Sequence, residues 1–200
     1  MGHKQLIASD LDRTFSAENK LAGDQFVLHN LQRSRRRSKR RSVALVYTSR
    51  LSFDATWKLV DSGLLPEPDA IASSQGTEIW FPTWDREDPF FREFLKPYWN
   101  RDAVAYFARK VPGLKLLDTQ FQTPFKVSFL VKNSSKIYDF KRLLAAEGLQ
   151  TKAVYSYGKY LDILPLCGGK FNALKYVARV WNVPLAKIQT CDYGDSHPTL

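Results

Sequence analysis

Cysteine is scarce in this 200-residue chain, with only Cys167 and Cys191. Lying 24 positions apart, they form neither a disulfide framework nor a pair with metal-ligand spacing, and are expected as free thiols in a reducing compartment. The three histidines, His3, His29 and His197, also lack ligand spacing and are left unassigned. No window approaches eighteen consecutive apolar residues, so a membrane-spanning helix is not expected. The opening MGHKQLIASD lacks the long apolar stretch and small-residue cleavage site of a secretory signal. No internal repeat occurs, and the only low-complexity stretch is rich in arginine. These absences leave a soluble cytoplasmic protein as the expectation. With 44% apolar residues the chain can bury an ordinary core, either as one domain or as one domain carrying an insertion.

The net charge is +10, which invites a nucleic-acid reading until its distribution is considered. Seven of the 30 basic residues fall in RSRRRSKRRS, residues 33–42, and the remainder of the chain carries only +3. A run of like charges is expected as a solvated connection, so nucleic acid is not expected as a partner. Salt-sensitive binding would mark the alternative.

Hydrophobic patterning organises the rest. LIASD is an apolar run that stops at Asp10 and Asp12, as a buried strand would deliver carboxylates to its carboxyl end. Leu21, Phe26, Leu28 and Leu31 approach helical spacing, with Asp24 near the helix start. SVALVY predicts a buried strand ending in Thr48, Ser49 and Arg50. A helix follows from Phe53 to about Ser62, capped by Ser52 and closed by Gly63 before Pro66. DAIASSQGTEIWFP predicts a strand, a turn at Gly76 and a second strand. Strand alternating with helix in this way predicts crossovers and a parallel sheet.

Around Pro82 the texture becomes aromatic and proline-rich, and a new α+β pattern follows. It comprises a helix at NRDAVAYFARKV, a half-buried strand at PFKVSFLV, an amphipathic helix ended by Gly148, and two paired strands joined at Gly158. In the second of these, Phe125, Val127, Phe129 and Val131 are expected inside and Lys126, Ser128 and Leu130 outside. The expected organisation is a core from residues 1–81 and 163–200, interrupted at 82–162 by an antiparallel sheet backed by two helices. The chain then returns to the first pattern with a helix opened by Gly168, Gly169 and Lys170 and a strand ending near Asp192 and Asp195. Trp80, Trp84, Tyr98 and Trp99 are expected mainly as core, with a sugar-stacking platform as the alternative.

Four features therefore sit where a parallel strand ends or a helix begins: Asp10 with Asp12, Thr48 with Ser49, Lys170, and Asp192 with Asp195. Strand ends in a doubly wound sheet converge on one edge, so residues far apart in sequence can meet there. Clustered carboxylates repel unless a cation neutralises them, and an all-oxygen set suits Mg²⁺, which retains waters and a substrate phosphate. One carboxylate can then attack phosphorus while another handles the proton, as a hydroxyl and an ammonium hold the phosphoryl oxygens.

This order resembles the haloacid dehalogenase-like phosphohydrolases, whose DxDx(T/V) motif is met by DLDRT. The insertion between the second and third motifs is similar to a C2-type cap. Within that superfamily the chain resembles the sucrose-phosphate phosphatases through SDLDRTF, YTSRLSFDATWKLVDSGLLPEPD, SSQGTEIW, PFKVSFLV and SYGKYLDILPLCGGKFNAL. The resemblance implies a Rossmann-like α/β core with an inserted α+β cap, a Mg²⁺ cofactor, and sucrose-6-phosphate as substrate. It further implies Asp10 as nucleophile, Asp12 as general acid and base, and Thr48, Ser49 and Lys170 on the phosphoryl group. Asp10, the backbone carbonyl of Asp12 and Asp192 are the implied magnesium ligands, with Asp195 the alternative if the terminal acids align differently. Arg50, Arg101 and Lys126 are the implied substrate contacts, and a sucrose-phosphate synthase is a candidate protein partner. Three departures stand out: Ser49 and Phe171 replace glycines of the pattern, and Ser196 stands where a second acid is expected. The chain also stops at Leu200, just after the fourth motif, where relatives continue. A core truncated at its C-terminus, with an exposed sheet edge, is the resulting expectation. A catalytically weak sugar-phosphate-binding or regulatory module is the second functional reading.

Overall fold

Two short, apolar strands carry the architecture. The computed structural model describes residues 5–12, 29–30, 33, 43–84 and 86–191. Strand β1 (Gln5–Asp10) and β2 (Val43–Thr48) lie side by side in parallel, with Leu6 opposite Ala44 and Asp10 opposite Thr48. Their Val, Leu and Ala content suits strands covered on both faces, and Leu6, Ala44, Leu45, Val46 and Tyr47 are buried. Strand β3 (Ala70–Ser73) continues the parallel set beside β2, while β4 (Glu78–Phe81) and β5 (Arg86–Glu87) turn antiparallel.

Helix α1 (Phe53–Asp61) connects β2 to β3. The Ser52 side chain accepts the Ala55 amide at its start, and Gly63, at φ +75°, allows the chain to leave the helix. Leu11, Leu45, Tyr47, Leu65 and Ile71 form one core cluster, and Phe53, Trp57, Val60 and Trp80 pack against it. Each fully buried Leu or Ile in such a cluster contributes about 1.5–3 kcal/mol.

The described chain divides into two compact units. One runs up to Asp88 and resumes at Lys170; the other is Pro89–Gly169. The first contains the six-stranded sheet, closed on its other side by β10 (Ile188–Cys191), in the order β10-β1-β2-β3-β4-β5. Its helix α5 (Lys170–Val180) packs toward β3 and buries Ala173, Leu174, Val177 and Ala178. Among the described residues β10 is an edge strand, paired only with β1.

The second unit holds helices α2 (Pro89–Leu95), α3 (Arg101–Ala108) and α4 (Ser135–Ala146). Its sheet comprises β6 (Leu114–Leu116), β7 (Val127–Val131), β8 (Thr151–Ser156) and β9 (Tyr160–Pro165) in the antiparallel order β6-β7-β9-β8. Val104 and Ala108 of α3 and Ile137, Phe140 and Leu144 of α4 cover one face with Val127, Phe129, Leu161 and Ile163.

Both unit boundaries fall seven residues beyond the positions expected at 81/82 and 162/163. The aromatic stretch after Pro82 folds back through β5, whose Glu87 and Arg86 pair with Trp80 and Phe81, and so stays with the first unit. Strand β9 likewise runs on to Pro165, opposite Thr151, and keeps that segment in the second. Asp88, only 1% exposed, receives the Tyr176 hydroxyl of α5; burial together with the Asp88 carboxylate pushes that phenol up to about 12.

Strand β7 is not half-exposed as its alternation predicts. Lys126 and Ser128 are buried as well as Phe125, Val127 and Phe129. The Ser128 hydroxyl donates to the Asp162 carboxylate at 2.6 Å, and Gln122 caps the same strand by donating to the carbonyls of Leu117 and Ser128 and accepting the Ser128 amide. Asp162 is fully buried, so water does not replace a hydrogen bond removed from it. Ser128→Ala is expected to lower stability by about 2 kcal/mol, as hydrogen bonds to charged groups typically do; urea unfolding followed by circular dichroism checks this.

Candidate active site

The parallel register sets the site. Because Asp10 is opposite Thr48, both side chains are delivered at the carboxyl ends of adjacent strands. Just beyond, Leu11 donates its amide to the Thr48 carbonyl, so the two chain ends leave the sheet together. Lys170 opens α5, 160 positions after Asp10, and its ammonium lies 2.8 and 2.7 Å from the two carboxylate oxygens of Asp10. The same nitrogen is 2.6 Å from Oδ2 of Asp12.

The other oxygen of Asp12 is held differently. Oδ1 accepts the Ser49 hydroxyl at 3.0 Å and the Arg50 amide at 2.6 Å. Asp10 Oδ1 accepts the Asp12 amide at 3.1 Å. Ser49 is fully buried and its oxygen also accepts the Leu51 amide at 3.0 Å. These three donors thus converge on Asp12 from the loop after β2 and from one helix.

The electrostatics follow from this packing. Burial pushes the Asp10 carboxyl above its ordinary value of 3.8; the Lys170 ammonium pulls it back, and the neighbouring Asp12 carboxylate pushes it up again. Burial alone would lower the Lys170 ammonium, but the carboxylates of Asp12 and Asp10 outweigh it and hold the group above 10.5. A buried pair of acids is therefore stabilised by one cation.

The sequence-expected residues sort as follows. Asp10, Asp12, Thr48, Ser49, Arg50 and Lys170 are brought together within the first unit. Ser49 does not offer its hydroxyl outward as expected of a phosphate ligand, because Asp12 and the Leu51 amide engage it; its place next to Asp12 makes it an orienting group. The Arg50 contribution lies in its backbone amide, which side-chain patterns do not reveal. Arg101 and Lys126 belong to the second unit. Arg101 opens α3, its guanidinium 3.9 Å from Asp102, and Lys126 is 5% exposed beside the short Thr123–Lys126 bridge. Asp192 and Asp195 lie outside the described residues. Phe171 does not enter the core: its ring is 64% exposed, with the Lys175 ammonium 4.8 Å from its centre. Trp80 stacks on Phe53 at 4.0 Å in the first unit and Trp99 packs on the core of the second, whereas Tyr98 is exposed and the Trp84 side chain lies outside the described residues.

Among the described residues no three His, Cys, Asp or Glu side chains cluster as metal ligands. The chemistry of the donor set suits magnesium, a hard cation that takes oxygen ligands: the Asp10 carboxylate and the Asp12 backbone carbonyl would be the oxygens to hold it.

A strand-end carboxylate pair gripped by a helix-borne lysine, in a parallel sheet interrupted by an α+β unit, defines the haloacid dehalogenase-like class. A haloacid dehalogenase-like hydrolase from Bacteroides thetaiotaomicron shares the fold, with a TM-score of 0.62 at 16% identity over 94% of this chain and 80% of that one. More particularly, residues 3–198 match the family model for sucrose-6F-phosphate phosphohydrolase, and the chain belongs to that family. It is similar to the sucrose-phosphatase of Synechocystis sp. PCC6803, solved in complex with sucrose and phosphate, with a TM-score of 0.81 and 26% identity over 94% of this chain and 75% of that one. A probable sucrose-phosphatase 3b of Arabidopsis thaliana is 33% identical over 162 residues, 78% of this chain and 38% of that protein. The chain spans less than half the length of the plant sucrose-phosphatases it matches.

Replacing Lys170 tests the electrostatic account directly. Lys170→Met, in metal-free buffer at pH 7, is expected to cost about 2–3 kcal/mol in urea unfolding, because it leaves partly buried carboxylates facing each other. The difference from wild type shrinks toward acid pH, as the carboxylates take up protons. It also shrinks above pH 10.5: the native lysine holds its proton beyond the point where the unfolded one loses it, so its contribution is full below 10.5 and is lost as pH rises through the native value.

Proposed function

We propose that this chain is a Mg²⁺-dependent phosphatase that hydrolyses sucrose-6-phosphate to sucrose and phosphate through an aspartyl-phosphate on Asp10. The observation that carries the reading is the Lys170 ammonium shared between Asp10 and Asp12, together with the family to which the chain belongs. In the first half-reaction a carboxylate oxygen of Asp10 bonds to phosphorus and the bond from phosphorus to the sugar oxygen breaks. Asp12 passes a proton from its carboxyl to that departing oxygen, releasing sucrose. In the second half, Asp12 takes a proton from a water whose oxygen attacks phosphorus, and the Asp10–phosphate bond breaks to regenerate the carboxylate.

The two oxygens of Asp12 divide this work. Oδ1 is committed to Ser49 and the Arg50 amide, which leaves Oδ2 as the oxygen that exchanges protons. Lys170 frees Oδ2 by transferring its hydrogen bonds to the phosphoryl oxygens, where Thr48 joins it. Asp10, the backbone carbonyl of Asp12 and Asp192 would hold the magnesium ion, which when bound would supply positive charge to offset that of the carboxylates and the anionic phosphate. Sugar recognition by the second unit, as a C2-type cap using Arg101 and Lys126, and by Arg50, belongs to the same proposal and rests on family likeness.

The test is phosphate release from sucrose-6-phosphate with Mg²⁺. Wild-type turnover is expected, with loss on adding EDTA and a fall of at least about 1,000-fold in Asp10→Asn, which has no carboxylate nucleophile. Binding of the sugar phosphate without any release by the wild type would instead favour the regulatory module.

A further inference from the structure

The turn joining β3 to β4 is built unlike an ordinary hairpin. Ser74, Gln75 and Gly76 occupy successive left-handed conformations, at φ 52°, 66° and 73°. Two of these are not glycine and so carry backbone strain. Hairpin loops normally face water. Here Ser73, Ser74 and Thr77 are fully buried and Gln75 is 3% exposed.

Strain and burial are both explained by where the turn sends its donors. Its Ser74 amide donates to the Leu51 carbonyl at 2.7 Å, and its Gln75 amide donates to the Ser49 carbonyl at 2.8 Å. These two acceptors bracket Arg50, whose own amide reaches Asp12. From the same side the Ser49 amide donates to the Ala72 carbonyl at 3.0 Å. Consecutive amides point to one side in helical or nest-like backbone and to opposite sides in extended backbone, and here the left-handed turn supplies the former, so an extended chain at this place would lose one of the two bonds. Within the turn, Glu78 Oε2 accepts the hydroxyls of both Ser73 and Ser74, at 3.1 and 2.8 Å, and the Thr77 hydroxyl donates to the Ser74 carbonyl at 2.7 Å.

We propose that the Ser73–Glu78 turn is a positioning device for the proton-transfer carboxylate: Glu78, by gripping Ser73 and Ser74, clamps the Ser49–Leu51 loop and so aims the Ser49 hydroxyl and Arg50 amide at Asp12. Glu78 bonds to Ser73 and Ser74 and not to Asp10, Asp12 or Lys170, and is a positioning residue acting through the two loops. The consequence for the reaction rests on the phosphatase reading above; the mechanical coupling does not.

The experiment separates the two. In Ser74→Gly the backbone conformation is free of strain, so the melting temperature is expected to hold or rise while one grip on Glu78 is lost. Its kcat for sucrose-6-phosphate is expected to fall about tenfold, and that of Glu78→Ala about 100-fold, with KM within about twofold of wild type, as displacement of a reacting group does. Glu78→Gln keeps an oxygen acceptor and is expected to recover most of the rate. The readout independent of turnover is the Arg50 amide proton, which is expected far downfield in the wild type and moved upfield in Ser74→Gly and Glu78→Ala. A wild type without phosphatase activity defeats the functional reading and leaves the amide shift to judge the clamp. An Arg50 amide unmoved in both variants overturns the clamp, as does a Ser74→Gly protein whose rate stays at the wild-type level.

Discussion

A single ammonium group placed between two carboxylates is the interaction on which the first unit depends. Asp10 and Asp12 flank Leu11 at the end of a buried strand, and partial burial of two neighbouring carboxylates works against their charge. Lys170 reaches both at 2.6–2.8 Å and offsets part of their repulsion. At an effective dielectric near 20, a charge pair at such distances is worth about 4–6 kcal/mol before desolvation. Much of that is consumed by taking all three groups partly out of water. What remains is chiefly a geometric constraint: the ends of β1 and β2 and the start of α5 must meet at one point.

That constraint explains the topology. Asp10 and Lys170 are 160 residues apart, yet the parallel pairing of β1 with β2 and the packing of α5 toward β3 bring their backbones to the same sheet edge. A second unit of 81 residues can be inserted between these parts because it leaves and re-enters at Asp88/Pro89 and Gly169/Lys170. The return point is itself the residue that completes the site. Tyr176 ties the departure point to α5, the helix that also carries Lys170, through its hydrogen bond to buried Asp88.

Much of this was legible in the sequence, for a physical reason. Apolar runs ending in charged or hydroxyl residues mark buried strands, and in a parallel sheet all such ends lie on one side, so Asp10, Asp12, Thr48 and Lys170 could be grouped without coordinates. The strands and helices from Val43 to Phe81 and from Ser135 to Val180 follow their periodicity and caps. What escaped depends on contacts that no local pattern encodes. The partner of a serine hydroxyl is decided by the turn that carries it, so Ser49 reads as a phosphate ligand in sequence and as an Asp12 orienter in structure. Ser128 alternates as a surface residue, but Asp162 from a strand 34 positions later gives its hydroxyl a buried partner. Helix α2 hides in PFFREFL because exposed Phe90 and Phe94 are as apolar as buried Phe91 and Leu95, which erases the helical stripe. Of the helix expected around Leu21–Leu31 only His29 and Asn30 are described, both helical, and the acids Asp192 and Asp195 fall outside the described residues.

The unequal treatment of the two Asp12 oxygens is the finding with most bearing on chemistry. A carboxyl that first gives a proton and then takes one must present the same oxygen twice, since rotation about its terminal bond would spoil the alignment. Donors that cannot leave, a buried hydroxyl and a backbone amide, secure Oδ1. The end of a flexible lysine covers Oδ2, and in the proposed reaction it is the donor that would move to the substrate's phosphate. Fixing one oxygen with neutral dipoles and shielding the other with a movable charge needs no rearrangement of the backbone during turnover. It does need the Ser49–Leu51 loop to stay rigid, and the buried left-handed turn at Ser74–Gly76 is where the fold accepts strain to keep it so.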